Sequence, residues 1–120
     1  MTLKCVIIDD EPLAAQLLRS YAEKIPSLEL VGVFSSAIEA SKTIRSNRID
    51  LAFLDIQMPE LSGLEFAKLL PKETKIIFTT AFNQYAIEGY KVDAIDYLLK
   101  PISFEDFTQT INKVISKFQE

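Results

Sequence analysis

Polar side chains that could carry out chemistry follow four of the apolar runs in this sequence, at the positions where buried strands would end. In chain order they are Asp9, Asp10, Glu11, Asp55, Thr79, Thr80 and Lys100. In an open parallel sheet the carboxyl ends of neighbouring strands meet at one edge, and ligands bind there. The sequence therefore predicts that carboxylates, a hydroxyl and an ammonium group converge on one site.

Carboxylates that converge in this way repel one another, by roughly 4 kcal/mol for a pair about 4 Å apart at an effective dielectric constant of about 20. A divalent cation offsets that repulsion, and a site built only from oxygen atoms favours Mg²⁺, with Mn²⁺ as the alternative. A carboxylate nucleophile, a cation, a lysine and a hydroxyl are the groups that phosphoryl transfer to an aspartate needs. The expected chemistry is therefore aspartyl phosphorylation.

Five short apolar runs alternate with helical patterns, which predicts five βα units. The runs are Cys5–Ile8, Leu28–Phe34, Leu51–Leu54, Lys75–Phe78 and Ala94–Leu99, and the predicted helices cover 12–25, 36–46, 62–70, 83–91 and 103–118. Most runs are continuous rather than alternating, which is typical of strands buried on both faces of a parallel sheet. Right-handed crossovers then give an α/β fold, a doubly wound parallel sheet with helices on both faces.

The predicted helices carry recognisable start signals and apolar faces. Two begin with a capping box, Ser36 to Glu39 and Ser62 to Glu65, in which a hydroxyl and a carboxylate bind the free amides of the first turn. The inward face of the first helix is predicted to contain Ala14, Leu17, Leu18, Tyr21 and Ile25. Aromatic residues of the last helix, Phe104, Phe107 and Phe118, are candidates for packing on the sheet or at a dimer interface.

Composition limits the class of protein. The chain has 120 residues, 48% of them hydrophobic and 25% charged, which fits one domain over residues 1–120. With no histidine and one cysteine, catalysis by imidazole, zinc sites with histidine ligands and an internal disulfide are excluded. Cys5 is interpreted as a small buried hydrophobic residue. The net charge of −4 argues against direct nucleic-acid binding, and a cytoplasmic protein without a membrane span is expected.

Five motifs, in order along the chain, resemble those of the receiver domain of two-component response regulators. They are Val6-Ile-Ile-Asp9-Asp10-Glu11-Pro12, Leu54-Asp55-Ile-Gln-Met58-Pro59, Ser62-Gly63, Thr80-Ala81 and Asp96-Tyr97-Leu-Leu-Lys100-Pro101. The resemblance covers about the whole chain and implies a flavodoxin-like (βα)5 fold with strand order 2-1-3-4-5. Ser62 stands where many receivers carry aspartate, and only a change of helix cap is expected from it.

By this resemblance Asp55 is the phosphoacceptor, and the metal site contains Asp9, Asp10, Asp55 and Gln57. Asp10 would bind Mg²⁺ directly and Asp9 mainly through water, while Gln57 would contribute its backbone carbonyl. The chain would catalyse only its own phosphorylation and dephosphorylation, so it is not expected to be an enzyme acting on other molecules.

The resemblance also implies a switch. Thr80 would hydrogen-bond a phosphoryl oxygen, Lys100 would pair with the phosphate, and Tyr97 would be the aromatic residue that turns inward. The bond before Pro101 is expected to be cis, whereas Thr79 is expected only to satisfy a backbone group.

The expected partners follow from the same resemblance. A sensor histidine kinase, or a small phosphodonor in its place, would phosphorylate the domain, and the helix at 83–91, the fifth strand and the last helix would form a homodimer face. The stretches 78–90 and 92–101 are similar to receivers that precede a LytTR-type DNA-binding domain. DNA binding and transcriptional control would then belong to a C-terminal output domain that these 120 residues do not include.

Two other functions remain open from the residues. A phosphatase of the haloacid-dehalogenase type would need a second aspartate two residues after the nucleophile, where this chain has Gln57. The other is a receiver-like interaction module that never carries phosphate, and the complete set of acids, threonine and lysine argues against it. The only glycines are Gly32, Gly63 and Gly89, and they form neither a P-loop nor a dinucleotide fingerprint.

Overall fold

In the computed structural model, five parallel strands form one sheet in the order β2-β1-β3-β4-β5. The structure describes residues 2–58, 61–81 and 94–119. The strands are β1 (Leu3–Ile8), β2 (Leu28–Phe34), β3 (Leu51–Asp55), β4 (Lys75–Thr80) and β5 (Asp96–Leu99). The described helices are α1 (Pro12–Glu23), α2 (Ala37–Ser46), α3 (Gly63–Ala67) and α4 (Phe104–Phe118). The flavodoxin-like α/β fold and its strand order are thus confirmed.

Most element boundaries lie within a few residues of those predicted. The predicted helix at 83–91 lies outside the described residues. Helix α3 ends at Ala67, three residues earlier than predicted, because the following amides of Leu69 and Leu70 bond carbonyls three residues back. Pro71 then disfavours helical backbone at the residue before it. Strand β4 extends through Thr80 because it is paired with β5 up to that residue.

The sheet separates two apolar clusters, which explains why its central strands are continuous apolar runs. Alternate residues of a strand point to opposite faces, so Ile7 joins one cluster and Val6 the other. The first cluster receives side chains from α1 and α4, and the second receives them from α2 and α3. Cys5 belongs to the first and is 0% exposed, and this burial raises the pKa of its thiol to about 12. It is therefore the buried hydrophobic residue that the sequence suggested.

The prediction for the inward face of α1 is partly wrong. The helix buries Ala15, Leu18 and Ala22, while Leu17 is 37% exposed. A pattern based on large apolar residues favours leucine, but two of the three buried positions of this helix carry alanine. Tyr21 stays half-buried and donates a hydrogen bond from its hydroxyl to the Ile102 carbonyl at 2.8 Å.

The hydroxyl half of each predicted capping box is present, whereas the carboxylate half differs, since Glu65 accepts a hydrogen bond from the Ser62 hydroxyl at 3.3 Å. The hydroxyl of Ser36 accepts a hydrogen bond from the Glu39 amide at 3.2 Å, and the hydroxyl of Ser62 accepts one from the Glu65 amide at 3.2 Å. The Glu39 carboxylate returns to Ser35 rather than to Ser36. None of the helices that the structure describes has the length and apolarity that a membrane span requires.

Candidate functional site

The predicted convergence of polar side chains occurs at the carboxyl ends of β1 and β3. These strands are neighbours in the sheet, so Asp9, directly after β1, lies beside Asp55, the last residue of β3. Both are buried, with 2% and 3% of their surface exposed. Two buried carboxylates side by side are costly to maintain unless positive charge is close to them.

Lys100 supplies that positive charge. Its ammonium nitrogen lies 2.6 Å from Glu11 Oε1, 3.0 Å from Asp9 Oδ2 and 3.5 Å from Asp55 Oδ2. The Lys100 side chain is 12% exposed, and its backbone amide donates to the Thr80 carbonyl at 2.7 Å. The peptide bond between Lys100 and Pro101 is cis, which agrees with the expectation from the resemblance. One cation thus serves three carboxylates.

Backbone amides fix the second oxygen of each buried carboxylate. The Glu11 amide donates to Asp9 Oδ1 at 2.9 Å, and the Gln57 amide donates to Asp55 Oδ1 at 3.2 Å. Both bonds run from a residue two positions further on, a turn that aspartate side chains form readily. Each carboxylate is therefore held by its own loop while its other oxygen faces Lys100.

The surroundings of Asp55 favour its neutral form. Burial, followed by the charge of Asp9, raises the pKa of Asp55 to about 7, although Lys100 and the Gln57 amide act in the opposite direction. Burial alone would lower the pKa of Lys100, but the contacts with Glu11 and Asp9 outweigh burial and raise it. The lysine therefore remains charged at neutral pH, whereas the Asp55 carboxyl is only partly ionised there.

Gly63, the first residue of α3, lies directly against the backbone of Asp55. Its amide donates to the Ile56 carbonyl at 2.9 Å, and a Cβ built on Gly63 would lie 2.1 Å from the Asp55 carbonyl oxygen. That separation is far inside van der Waals contact, so only glycine fits here. The Ser62-Gly63 motif thus supports the loop that carries Asp55.

The acidic cluster fits a small divalent cation. One carboxylate oxygen from each of Asp9, Glu11 and Asp55 lies within 4.8 Å of the others. Asp9 Oδ2 is buried, and the positive charge beside it in the described part of the chain is the Lys100 ammonium, 3.0 Å away, which is shared with Glu11 and Asp55. Crowded, buried carboxylate oxygens in a donor set made only of oxygen match what Mg²⁺ or Mn²⁺ requires.

The structure gives Glu11 a contact that the sequence did not assign. The sequence placed Glu11 among the converging side chains without a specific role, and it shares the cleft of ≈ 320 Å³ with Asp10, Asp55, Gln57 and Lys100. Asp10 is partly buried, and its side chain interacts with the Asp55 carboxyl, which agrees with the prediction that both belong to one site. The position of Glu11 after the strand predicted that it lies near the site, but no pattern in the sequence indicated its contact with Lys100.

The remaining predicted residues lie on β4 and β5. Thr80 is 1% exposed at the end of β4, next to this site. The Tyr97 ring stacks on Phe78, with centroids 5.4 Å apart, and packs against the second apolar cluster rather than the carboxylates. The expectation for Thr79 is wrong, because among the described residues its buried hydroxyl has no hydrogen-bond partner.

Comparison with known proteins agrees with this arrangement. The family described as "Response regulator receiver domain" matches residues 5–112. The transcriptional regulatory protein BtsR of Escherichia coli (strain K12) is 42% identical over 114 residues, covering 93% of this chain and 48% of that protein. The sensory transduction protein LytT of Bacillus anthracis is 38% identical over 114 residues, covering 92% and 46%. The chain thus spans about half the length of these curated relatives.

Solved structures of response regulators have the same fold as this chain. The response regulatory domain of protein mrkE from Klebsiella pneumoniae superposes with a TM-score of 0.86 at 30% identity, covering 98% of both chains. The response regulator TrrA of Thermotoga maritima, solved in complex with Mg²⁺ and BeF, has a TM-score of 0.81 at 31% identity, covering 95% of this chain and 99% of that one. LytT among the relatives agrees with the narrower resemblance to LytTR-type receivers. By its matched residues, its fold and its acidic site, this chain belongs to the response regulator receiver domain family.

Proposed function

We propose that this chain is the phosphoacceptor domain of a two-component system, in which Asp55 receives a phosphoryl group in a Mg²⁺-dependent reaction. The observation that supports this most directly is the burial of Asp55 at the open edge of the sheet, with Lys100 3.5 Å from its Oδ2. A side chain that serves only to cap the next segment would not need a lysine that is only 12% exposed beside it.

Asp55 is positioned to act as a nucleophile. Its Oδ1 is held by the Gln57 amide, so the carboxylate presents a fixed face to the cleft. An Asp55 oxygen attacks phosphorus in line, and the bond from phosphorus to the donor breaks. The electron pair leaves with the nitrogen of a phosphohistidine or with the oxygen of an acyl phosphate. The Lys100 ammonium offsets the negative charge on the phosphoryl oxygens.

The metal would be held by carboxylates of Asp9, Asp10 and Asp55 and by the backbone carbonyl of Gln57. When bound, Mg²⁺ would supply the positive charge that lowers the pKa of Asp55 and offsets charge on the phosphoryl oxygens. Without that charge, the pKa of Asp55 at about 7 leaves much of the carboxyl protonated at neutral pH, and a protonated carboxyl is a poor nucleophile.

Phosphorylation would act as a switch through β4 and β5. The phosphoryl group adds about −1.5 to −2 charges at neutral pH. Thr80 at the end of β4 would hydrogen-bond it, and Tyr97 would leave its position on Phe78 to turn inward. The new charge then shifts a two-state equilibrium, which is communicated to the fifth strand, the last helix and the segment at 83–91.

The output of the switch would be transcriptional and would lie outside this domain. BtsR is named a transcriptional regulatory protein and is about twice as long as the region it shares with this chain. A sensor histidine kinase would be the phosphodonor, the switch face would form a homodimer, and a separate domain would bind DNA. The domain would catalyse only its own phosphorylation and dephosphorylation. Its location in the cytoplasm remains a prediction.

Intact-mass measurement after incubation with acetyl phosphate and Mg²⁺ tests the proposal. The wild type should gain one phosphoryl group, and the gain should disappear in Asp55→Asn and with a chelator. The matched control is Asp50→Asn, an aspartate directly before the same strand whose Oδ2 accepts a hydrogen bond from the Lys4 amide at 2.9 Å. It should be phosphorylated normally.

Two outcomes would contradict the proposal. A gain that persists in Asp55→Asn would place the acceptor elsewhere. A folded wild type that gains nothing, either from acetyl phosphate or from a phosphorylated histidine kinase, would favour a phosphate-independent interaction module.

A further inference from the structure

The shortest contact of Lys100 is with Glu11, to which the proposed reaction gives no role although its carboxylate lies in the acidic cluster with Asp9 and Asp55. Its ammonium donates a hydrogen bond to Glu11 Oε1 at 2.6 Å, whereas Asp55 Oδ2 lies 3.5 Å away. A charge-assisted hydrogen bond of this length is among the stronger polar contacts in proteins. Lys100 is therefore held closer to Glu11 than to the residue whose phosphate it would bind.

The backbone of Glu11 is fixed from both sides, which gives its side chain a firm base. Its amide donates to Asp9 Oδ1 at 2.9 Å, and its carbonyl accepts the Ala15 amide at 3.0 Å. Glu11 is also the N-cap residue of α1, yet its side chain makes no cap hydrogen bond. The carboxylate therefore points to Lys100 instead of to the helix.

We infer that Glu11 is a positioning residue that restrains Lys100 before phosphorylation and competes with the phosphoryl group for its ammonium. This inference rests on the proposed function. The Glu11 side chain is 63% exposed, whereas those of Asp9 and Asp55 are 1% and 4% exposed, so Glu11 is the partner that Lys100 can leave at the smallest cost of desolvation. Once released, its carboxylate can interact with the free first-turn amides and the positive end of α1.

The restraint makes the affinity for a phosphoryl group lower than it would be without Glu11. A ligand that needs Lys100 must first break the pair with Glu11, and this cost appears as weaker binding. Removing the Glu11 contact should therefore strengthen binding of a phosphoryl mimic, even though the substituted residue never touches the mimic.

The experiment measures the affinity of beryllofluoride, at saturating Mg²⁺, by calorimetry and by amide NMR shifts. Glu11→Gln removes the charge, and Glu11→Asp keeps the charge but shortens the side chain so that it loses its reach to Lys100. Both should bind beryllofluoride about three- to five-fold more tightly than the wild type, the size expected for a partly exposed ion pair. Mg²⁺ affinity is measured separately, so that a change in metal binding is not mistaken for a change at Lys100.

Two further variants test whether the effect acts through Lys100. In a Lys100→Met background, Glu11→Gln should change beryllofluoride affinity less than about 1.5-fold, because the pair no longer exists. Glu73→Gln removes an exposed negative charge near the amino end of β4 and should leave affinity unchanged.

The outcomes separate this inference from the proposed function. Unchanged or weaker binding in Glu11→Gln overturns the inference, as does a Glu11→Asp variant that behaves like the wild type, because net charge would then be the cause. If Lys100→Met abolishes beryllofluoride binding, the two Glu11 variants alone test the inference. Tighter binding in both Glu11→Gln and Glu11→Asp supports it, and tighter binding in Glu11→Gln only overturns it. A wild type that binds Mg²⁺ but no beryllofluoride overturns the proposed function and the inference with it.

Discussion

The two ends of the sheet use the same residue types in opposite ways. At the amino end, Asp50 Oδ2 accepts the Lys4 amide at 2.9 Å, and the buried Thr74 hydroxyl donates to the Ile49 carbonyl at 2.7 Å. At the carboxyl end, the buried Thr79 hydroxyl has no hydrogen-bond partner among the described residues, and the buried Asp9 Oδ2 lies 3.0 Å from a lysine that it shares with Glu11 and Asp55.

This difference separates structural polar groups from functional ones. Buried polar groups are normally satisfied by hydrogen bonds, and leaving one unsatisfied costs about 1–3 kcal/mol. The amino end satisfies its aspartate and threonine with backbone partners. The carboxyl end instead maintains crowded carboxylates around one lysine, a state that additional bound positive charge would stabilise. Acids that share one cation, rather than acids as such, indicate the site.

The largest expected effect is at Gly63, which supports the carboxyl end. The substitution Gly63→Ala would put a Cβ 2.1 Å from the Asp55 carbonyl oxygen. The free energy of unfolding, measured by urea denaturation, should therefore fall by about 3 kcal/mol. The matched control is Gly32→Ala, whose Cβ would meet only the Phe34 ring at 2.7 Å, and a side chain can rotate away. Gly32→Ala should cost about 1 kcal/mol or less, and equal losses in the two variants would contradict the argument.

The next effect concerns the charge of Asp55 and depends on pH. Its folded pKa, about 7, lies above its ordinary value of 3.8, so the folded protein binds an additional proton between these pH values. Stability therefore falls as pH rises through this window and stays lower above it. Without divalent cations, Asp55→Asn should be more stable than the wild type at pH 8, by about 2 kcal/mol, and the difference should disappear near pH 4.

Thermal unfolding of both proteins across this pH range checks the prediction. Asp50→Asn should show no such gain at pH 8, because Asp50 has a backbone partner at the amino end of the sheet. Adding Mg²⁺ should stabilise the wild type more than Asp55→Asn. A difference between wild type and Asp55→Asn that is the same at pH 4 and pH 8 would show that crowding of charge is not the cause.

The smallest expected effect compares the two threonines and should have opposite signs at the two ends. Thr79→Val replaces a buried hydroxyl, which has no hydrogen-bond partner among the described residues, by a methyl group of similar size and should raise the unfolding free energy by about 1 kcal/mol. Thr74→Val removes the hydroxyl that donates to Ile49 and should lower it by about 1 kcal/mol. Urea denaturation measures the free energy of unfolding of both variants. A loss of stability in both would contradict the distinction between the two ends of the sheet.

Local signals in the sequence were sufficient for the elements and for most of the site. The cap at Ser36 formed as predicted because a cap involves only residues within a few positions of each other. Asp9 and Asp55 lie together at one edge of the sheet because each is at the carboxyl end of a strand, and these two parallel strands are neighbours. The inward face of α1 was harder to predict, since Ala15 is buried and Leu17 is partly exposed. The rotation of a helix about its axis depends on how it packs on the sheet, and a hydrophobic pattern does not fix it.

The sequence by itself determined the strands, the helix caps, the order of the motifs and the acids and lysine that follow the strands, because these depend on short-range backbone preferences and on alternating burial. Only the tertiary structure decided that Glu11 and Lys100, which are 89 residues apart, form the shortest ion pair reported among the described residues. It also decided that the Thr79 hydroxyl has no hydrogen-bond partner among the described residues and that Gly63 lies against Asp55. Such contacts depend on how loops from different strands pack at one edge of the sheet, and no local pattern encodes that geometry.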